Sequence, residues 1–502
     1  GLVNWDPKTL ESIPGIAKSW DISDDRLTYT FHLRDDARWN DNTPVTAHDF
    51  AWQWRRILDP ATVGKYSYQL WYIKNAERYS SKQFDIGDNV EVELHRRPEN
   101  SLPYARGEMV RGKLVAKIAH SDPKKASDKA DGGDKSVGIA STEKVSSAPI
   151  FVVQVNGQLR SFQPVRGREM ADWHNPDLND DALAQWSATE FAASNPDMKL
   201  PKVEPCRDVL LDFNEVGVKA VDDRTLRVEL RAPTPFFLFL TGYYPLFPTN
   251  PRCVETYGYP AWTKPEHLVN NGPFNLQSRR VRERIRLVKN DRYWNAANVK
   301  LNTVDVLAVE SLATSLNLYL TGRVDWIDKP PVTAVPELLK AKWLGFDPHP
   351  GMIVYFYRLN CTKPPLDNPL VRKALALAVN KKEIVETVTH GGEIPALSIT
   401  PPDMGGYVPP TMGTYDPDQA RKLLADAGFP GGHGFPKMDI LYNTEEAHQL
   451  IAELIQAQWK ENLGINVGLQ NMEWNAYQAA QENLQYQVSR AAWGGDYVDP
   501  NT

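Results

Sequence analysis

Residues 487–500 read Gln487-Val-Ser-Arg490-Ala-Ala-Trp493-Gly494-Gly495-Asp496-Tyr497-Val-Asp499-Pro500. The first half has the composition of a buried strand. It runs into a corner of two glycines and ends in a carboxylate between two aromatics. Neither Gly494 nor Gly495 carries a Cβ, so another backbone can come close there. Trp493 and Tyr497 can wall a slot, and Asp496 can offer an anion at its end. Such a stretch suits an extended guest held by its backbone and by one cationic end, a protonated amine being the obvious cation. The same residues also fit a plain turn in which an aspartate bonds its own backbone, so the flanking chain has to decide.

That flanking chain is α/β in pattern. Met438-Asp-Ile-Leu-Tyr442 predicts a strand, and Asn443 or Thr444 predicts the cap of a helix bearing Ile451, Leu454, Ile455 and Leu463. Ile465-Asn-Val-Gly-Leu-Gln-Asn-Met472 alternates as a second strand. Strand, helix and strand of these lengths predict a right-handed βαβ unit. In open α/β sheets, ligands bind beyond the carboxyl ends of the strands. Asn443, Trp474 and the Trp493–Asp496 run fall at those ends, so three stretches converge on one edge. Upstream, Asn368 with Pro369 predicts a helix with a Val371, Ala374, Leu375, Ala378 stripe, and Asp416-Pro417 starts another.

The first half of the chain is more varied. Leu27-Thr-Tyr29-Thr-Phe31-His-Leu33 alternates as a strand with one buried face. Thr46-Ala-His-Asp49 resembles a capping box and predicts a helix with Phe50, Trp54 and Ile57 inward, ending before Asp59-Pro60. Tyr66, Tyr68, Trp71 and Tyr72 have the spacing of core aromatics, with Tyr68 kept as a pocket candidate. Residues 120–147 are rich in Lys, Asp, Ser and Gly and predict a solvated, flexible loop. Val90-Glu-Val-Glu-Leu94 and Phe151-Val-Val-Gln-Val155 flank it, so the region 83–207 is expected to be an insertion with some β structure of its own. Two short strands follow around an Asp-Asp-Arg turn in 216–230, and Asn271-Gly272-Pro273-Phe274 predicts a tight turn.

Composition narrows the functional classes. A chain of 502 residues suggests about three domains, and 42% hydrophobic residues with 15 Trp can fill large cores. A net charge of −6 argues against nucleic acid or an anionic lipid surface as the main partner. Cys206, Cys253 and Cys361 form no CxxC, which argues against a zinc ribbon or a thioredoxin-like site. One bridge with an odd thiol left over stays open. The richest apolar run, Phe236 to Phe247, is too short for a membrane span and is broken by Gly242 and Pro245. The chain starts at Gly1 without an initiator Met, so residues upstream are expected to be missing and the absent signal peptide says nothing against export.

No nucleophile elbow, phosphate loop or His-Glu-x-x-His occurs. His433 sits in a Gly-rich turn. His448 stands on the first turn of a predicted helix and fits a partly exposed surface histidine, although its place near a strand end keeps it as a candidate. Asp496 and Asp499 lie close only in sequence, which makes a poor glycosidase pair. Neither a catalytic residue nor a metal or cofactor is expected; binding without chemistry explains more of the sequence.

At this point several stretches together resemble a known family. They are Pro14-Gly-Ile-Ala-Lys-Ser-Trp20, Leu27-Thr-Tyr-Thr-Phe-His-Leu-Arg34, Trp39-Asn-Asp-Asn-Thr-Pro-Val-Thr-Ala-His-Asp-Phe50, Asn271-Gly-Pro-Phe274, Tyr293-Trp-Asn295, Val371-Arg-Lys-Ala-Leu375 and Ala491-Ala-Trp-Gly-Gly-Asp-Tyr497. They look like the peptide-binding proteins of ABC importers, the extracytoplasmic solute-binding family 5, over nearly the whole chain except about 83–207. The resemblance implies an α/β, type II periplasmic-binding-protein-like fold of two lobes plus an extra small domain, closing on peptide by a hinge. It implies a small α+β domain over 1–215 carrying the insertion, part of lobe I over 216–295, and lobe II over 296–502. It also implies a chain cut short at both ends.

The resemblance assigns site roles as well. Asp496 would pair with the ligand's α-ammonium, and Trp493 would line the backbone slot with Gly494, Gly495 and Tyr497. Trp474 and His448 would line side-chain or carboxylate-end pockets, with Arg490 facing the carboxylate end. Asn443, Asn271 and Tyr68 complete the candidate ligand-binding residues. Relatives carry a further basic residue shortly before Arg490, where this chain offers Gln481. The implied partners are a peptide and membrane permease subunits, with no nucleic acid, for a monomer in the periplasm or outside the cytoplasm, with or without a lipid anchor. Within the same family the ligand could instead be a nickel chelate, haem or an oligosaccharide. A signalling receptor or a hydrolase is the reading from another class.

Overall fold

The computed structural model describes residues 1–118, 148–164, 202–342, 345–349, 351–402, 404, 406–497 and 499–500. The flexible loop expected at 120–147 lies outside the described residues. The chain divides into two compact units, 1–307 and 308–502.

In the first unit, β1 (Ala17–Ile22) and β2 (Thr28–Leu33) form an antiparallel pair. Tyr29, Phe31 and Leu33 alternate into the core, as the spacing predicts. Helix α1 (Ala47–Leu58) begins at a true capping box, with the Thr46 amide donating to the Asp49 carboxylate at 2.8 Å. Phe50, Trp54 and Ile57 are buried along its inner face, and the helix stops before Asp59 and Pro60.

The insertion is more regular than its composition suggests. Strands β3 (Asn89–Leu94), β4 (Met109–Ile118), β5 (Ile150–Val155), β6 (Gln158–Pro164) and β7 (Val203–Leu211) close into a barrel, antiparallel except for the β6–β7 pair. Val90, Val92, Leu114, Val153, Phe162 and Val209 pack its interior. It meets α1 through buried charges. Arg55 lies 2.6 Å from the fully buried Glu91, which also accepts from the Tyr79 hydroxyl at 3.1 Å, and Arg106 bridges Asp59 and Glu93.

Strands β8 (Val218–Asp222) and β9 (Thr225–Glu229) complete the first sheet in the order β8-β9-β2-β1. A separate antiparallel sheet follows, made of β10 (Phe274–Arg280), β11 (Arg284–Lys289) and β12 (Thr303–Leu307). Because β12 pairs with β11, the first unit extends past the boundary expected at 295.

The second unit is built on a sheet ordered β13-β16-β14-β15. Its strands are β13 (Ile353–Leu359), β14 (Met438–Asn443), β15 (Val467–Met472) and β16 (Val488–Gly494). β14 runs parallel to β15 and to β16, whereas β13 is antiparallel to β16. Asn368 caps α2 (Pro369–Leu377) and Asp416 caps α3 (Pro417–Asp426), each by accepting a backbone N–H at 2.9 Å. Helix α4 (Glu446–Leu463) connects β14 and β15. Its cap is Glu445, not Asn443 or Thr444. Asn443 is instead the last residue of β14, and the Thr444 hydroxyl donates to Asn471 at 2.8 Å. Val371, Leu375, Ile440, Ile451, Trp459 and Val488 share one core. The short helix α5 (Trp474–Glu482) leads into β16.

All three cysteines are free thiols: Cys206 and Cys253 buried, Cys361 exposed. Among the described residues, no helix is long and apolar enough to cross a membrane.

Candidate functional site

Because β14, β15 and β16 run parallel, their carboxyl ends fall on one edge of the second unit. That edge carries Asn443 at the end of β14, Trp474 just past β15, and Trp493 with Gly494 at the end of β16. The Gly495 amide donates to the Met352 carbonyl at 2.7 Å, which extends the β13–β16 ladder by one bond. Asp496 is then half-buried in the bend that follows, and Tyr497 is buried. Trp493 is 43% exposed. Together with Gly495, Met352, Val354, Ile399 and Met404, it borders a small hollow of about 60 Å³.

A Cβ added at Gly494 would meet only Ile353, at 3.7 Å, which is ordinary contact. The fold itself therefore does not require a glycine there. Gly494→Ala is expected to leave stability within about 0.5 kcal/mol while costing an extended ligand about 1–3 kcal/mol of binding through crowding. Thermal unfolding and calorimetry on the same sample separate the two, and unchanged affinity would remove the close-approach role.

Beneath the edge, Arg490 organises a polar cluster. Its Nη1 donates to Asn443 Oδ1 at 3.3 Å, and its guanidinium lies 4.9 Å over the Tyr355 ring. Its Nε is buried with no hydrogen-bond partner among the described residues. The Tyr355 hydroxyl is 3.4 Å from His448 Nδ1, and His448 Nε2 is 3.5 Å from Glu445, which pairs with Lys329 at 2.8 Å. Gln481, in place of a basic residue, donates to Ser489 Oγ at 2.7 Å and to the Arg490 carbonyl at 2.9 Å. It is thus committed to supporting β16.

His448 corrects the expectation of a surface histidine: it is 5% exposed. Burial, and then repulsion from Arg490, bring its pKa down to about 4 against the opposing pull of Glu445. Burial also pushes Tyr355 up to about 12 and Tyr357 still higher. Burial pushes Glu445 up too, but the Lys329 hydrogen bond and the His448 and Arg490 charges outweigh it and hold the carboxyl below its ordinary range. A neutral His448 can accept from the Tyr355 hydroxyl through Nδ1 and turn its Nε2 toward Glu445.

A histidine with a depressed pKa contributes stability that is complete above 6.5 and is lost as pH falls through 4. The loss is on the order of 3 kcal/mol. Denaturation midpoints of the wild type should fall across this window, and those of His448→Gln should fall less. Parallel pH profiles would contradict the assignment.

Two further candidates, Asn271 and Tyr68, lie in the first unit. Asn271 is half-buried in the turn before β10, where neighbouring Asn270 accepts from the Gly272 amide at 3.0 Å. Tyr68 is 42% exposed and stacks on Tyr66 at 6.2 Å, while Tyr66 meets Tyr243 and Tyr244 edge-on. Trp474, 47% exposed, stacks on Tyr477 at 5.7 Å. The sequence reading missed Tyr355, Tyr357, Glu445 and Lys329. The Tyr-x-Tyr step within a strand-like run was the available signal for the first two. No group of three His, Cys, Asp or Glu suited to a metal ion occurs among the described residues.

The profile of the bacterial extracellular solute-binding proteins, family 5 Middle, matches residues 11–140 and 168–502. The chain belongs to this family. Among curated relatives, the oligopeptide-binding protein OppA of Bacillus subtilis is 28% identical over 497 residues, 97% of this chain and 68% of the relative. The murein tripeptide binding protein MppA of Escherichia coli superposes with a TM-score of 0.69 at 27% identity, covering all of this chain and 74% of its own. Haemophilus influenzae OppA in complex with the peptide RPPGFSPFR gives 0.67 at 25% identity, with 100% and 75% coverage. The family 5 match includes part of the insertion, which the motif resemblance had left out.

Proposed function

We propose that this family 5 protein is the substrate-binding component of an importer, and that it captures extended peptides without transforming them and delivers them to membrane permease subunits. The observation that carries this reading is the end of β16, where a glycine edge without steric need of its own, an exposed Trp493 and the Asp496 carboxylate follow one another. A receptor tolerant of peptide sequence cannot draw its affinity from side chains. It needs backbone hydrogen bonds, as in strand addition, and at least one terminal charge. Asp496 would pair with the α-ammonium, and Arg490, whose Nε is buried without a partner among the described residues, would face the anionic end. Trp474 and neighbouring residues would leave room for varied side chains and bridging water. The names of the relatives, oligopeptide- and murein peptide-binding proteins, support the same ligand class, and the family name supports a location outside the cytoplasm.

Mass spectrometry of small molecules released from the natively purified protein tests this. Peptides with free amino termini are expected, and added peptide should be recovered uncleaved. Haem, a nickel chelate or an oligosaccharide in their place would overturn the ligand class. Turnover of peptide would overturn the assignment as a pure receptor.

A further inference from the structure

The hairpin of β10 and β11 concentrates positive charge at its tip. Residues 279–284 read Arg279-Arg280-Val281-Arg282-Glu283-Arg284, four guanidiniums against one carboxylate, on a chain whose net charge is −6. Three features of this tip work against its own stability. Arg280 stands directly opposite Arg284 across the hairpin, and like charges so placed weaken strand pairing. Arg282 takes a left-handed backbone, φ 60°, which glycine adopts freely and a residue with a Cβ does not. Val281, at the apex, is 81% exposed. Departures from local stability of this kind concentrate at functional places.

The neighbouring carboxylates leave much of the charge available. Glu283 sits 3.1 Å from Arg280 and 3.5 Å from Arg284. Asp305 on β12 takes Arg286 in a bidentate pair, 2.7 and 2.6 Å, and is 3.8 Å from Arg284. Arg279 and Arg282 have no ion pair among the described residues.

We propose that this tip docks on a membrane surface rich in anionic phospholipid. An apolar apex between arginines matches the boundary between headgroups and acyl chains: Val281 enters the apolar side while the guanidiniums take phosphate oxygens in pairs. A stable protein interface uses about 800 Å² per partner, more than a six-residue tip presents, whereas a lipid surface needs no complementary shape. The chain's negative total charge keeps the rest of the molecule off such a surface, so the tip sets the orientation. This inference does not depend on what the site in the second unit binds.

Co-sedimentation with phosphatidylcholine vesicles, with and without phosphatidylglycerol, tests it. The protein is expected to bind the vesicles that contain phosphatidylglycerol, to ignore phosphatidylcholine alone, and to release as salt is raised. Each arginine near an anionic surface is worth about fivefold, so Arg279→Gln with Arg282→Gly should weaken binding about 25-fold. Arg282→Gly relieves the left-handed backbone, so its unfolding midpoint should hold or rise, which separates lost binding from lost fold. No vesicle binding by the wild type, equal binding to both vesicle types, or undiminished binding by the double variant would each overturn the proposal. Capture of an acidic protein by a tip that ignores vesicles would reassign the surface to a protein partner.

Discussion

Replacing Asp496 with asparagine is expected to weaken peptide binding about a hundredfold. Removing one partner of a desolvated charge pair costs about 3–5 kcal/mol, largely because the other charge is left without compensation. Asp496 is only half-buried, so the lower end applies, and about 3 kcal/mol corresponds to a little over two orders of magnitude. Asparagine keeps the shape and the ability to accept one hydrogen bond, so the bend after β16 should survive. N-acetylation of the peptide removes the other charge and should cost the wild-type protein a similar factor. If the two groups face each other, the losses do not add: acetylated peptide should bind the variant about as well as it binds the wild type. Calorimetry showing an unchanged dissociation constant for Asp496→Asn would sink the amine pairing. Additive losses would place the amine elsewhere.

What could be read from the sequence follows the range of the interactions involved. The capping box at Thr46 and Asp49, the Asn368 and Asp416 caps and the alternation of Tyr29, Phe31 and Leu33 depend on residues a few positions apart, and the structure has them all. The β14–α4–β15 unit was legible for the same reason, and with it the edge where Asn443, Trp474 and Trp493 gather. The barrel was not, because its closure pairs Val90 with Leu211 and Ser161 with Val203. Only the strand-like character of its pieces is local. His448 was misjudged because its neighbours in space include residues distant in sequence; Tyr355, on a strand that precedes it by a long stretch of chain, packs against its ring at 5.6 Å. Arg490 reads as one residue of a strand, yet its side chain gathers Asn443 and Tyr355 from two other strands. Site clusters of this kind depend on long side chains crossing between elements, and periodicity carries no trace of that.

Arg106→Met should cost the first unit about 3–5 kcal/mol of stability at neutral pH. Arg106 holds Asp59, at the end of α1, at 3.0 Å and Glu93, on β3, at 2.8 Å, and Glu93 also accepts from the Gly107 amide at 2.9 Å. Asp59 is already pushed up by burial despite Arg106. Glu93 is also pushed up by burial, but the charge and hydrogen bond of Arg106 hold it below its ordinary range. Without the guanidinium, two buried carboxylates face each other, and both pKa values rise above their unfolded values. Carboxyls raised in this way bind protons in the folded state that the unfolded chain does not hold, so the variant loses stability as pH rises and recovers it as pH falls. In the wild type, the Glu93 contribution runs the other way and is lost as pH falls through its lowered pKa. Denaturant titrations should therefore show a large gap between wild type and variant at pH 7 that narrows toward about pH 5. Converting the whole group, Arg106→Met with Asp59→Asn and Glu93→Gln, removes the stranded charges and should restore much of the lost stability. A defect of equal size at both pH values, or no rescue by the triple change, would mean that Arg106 acts by filling space and not through its charge.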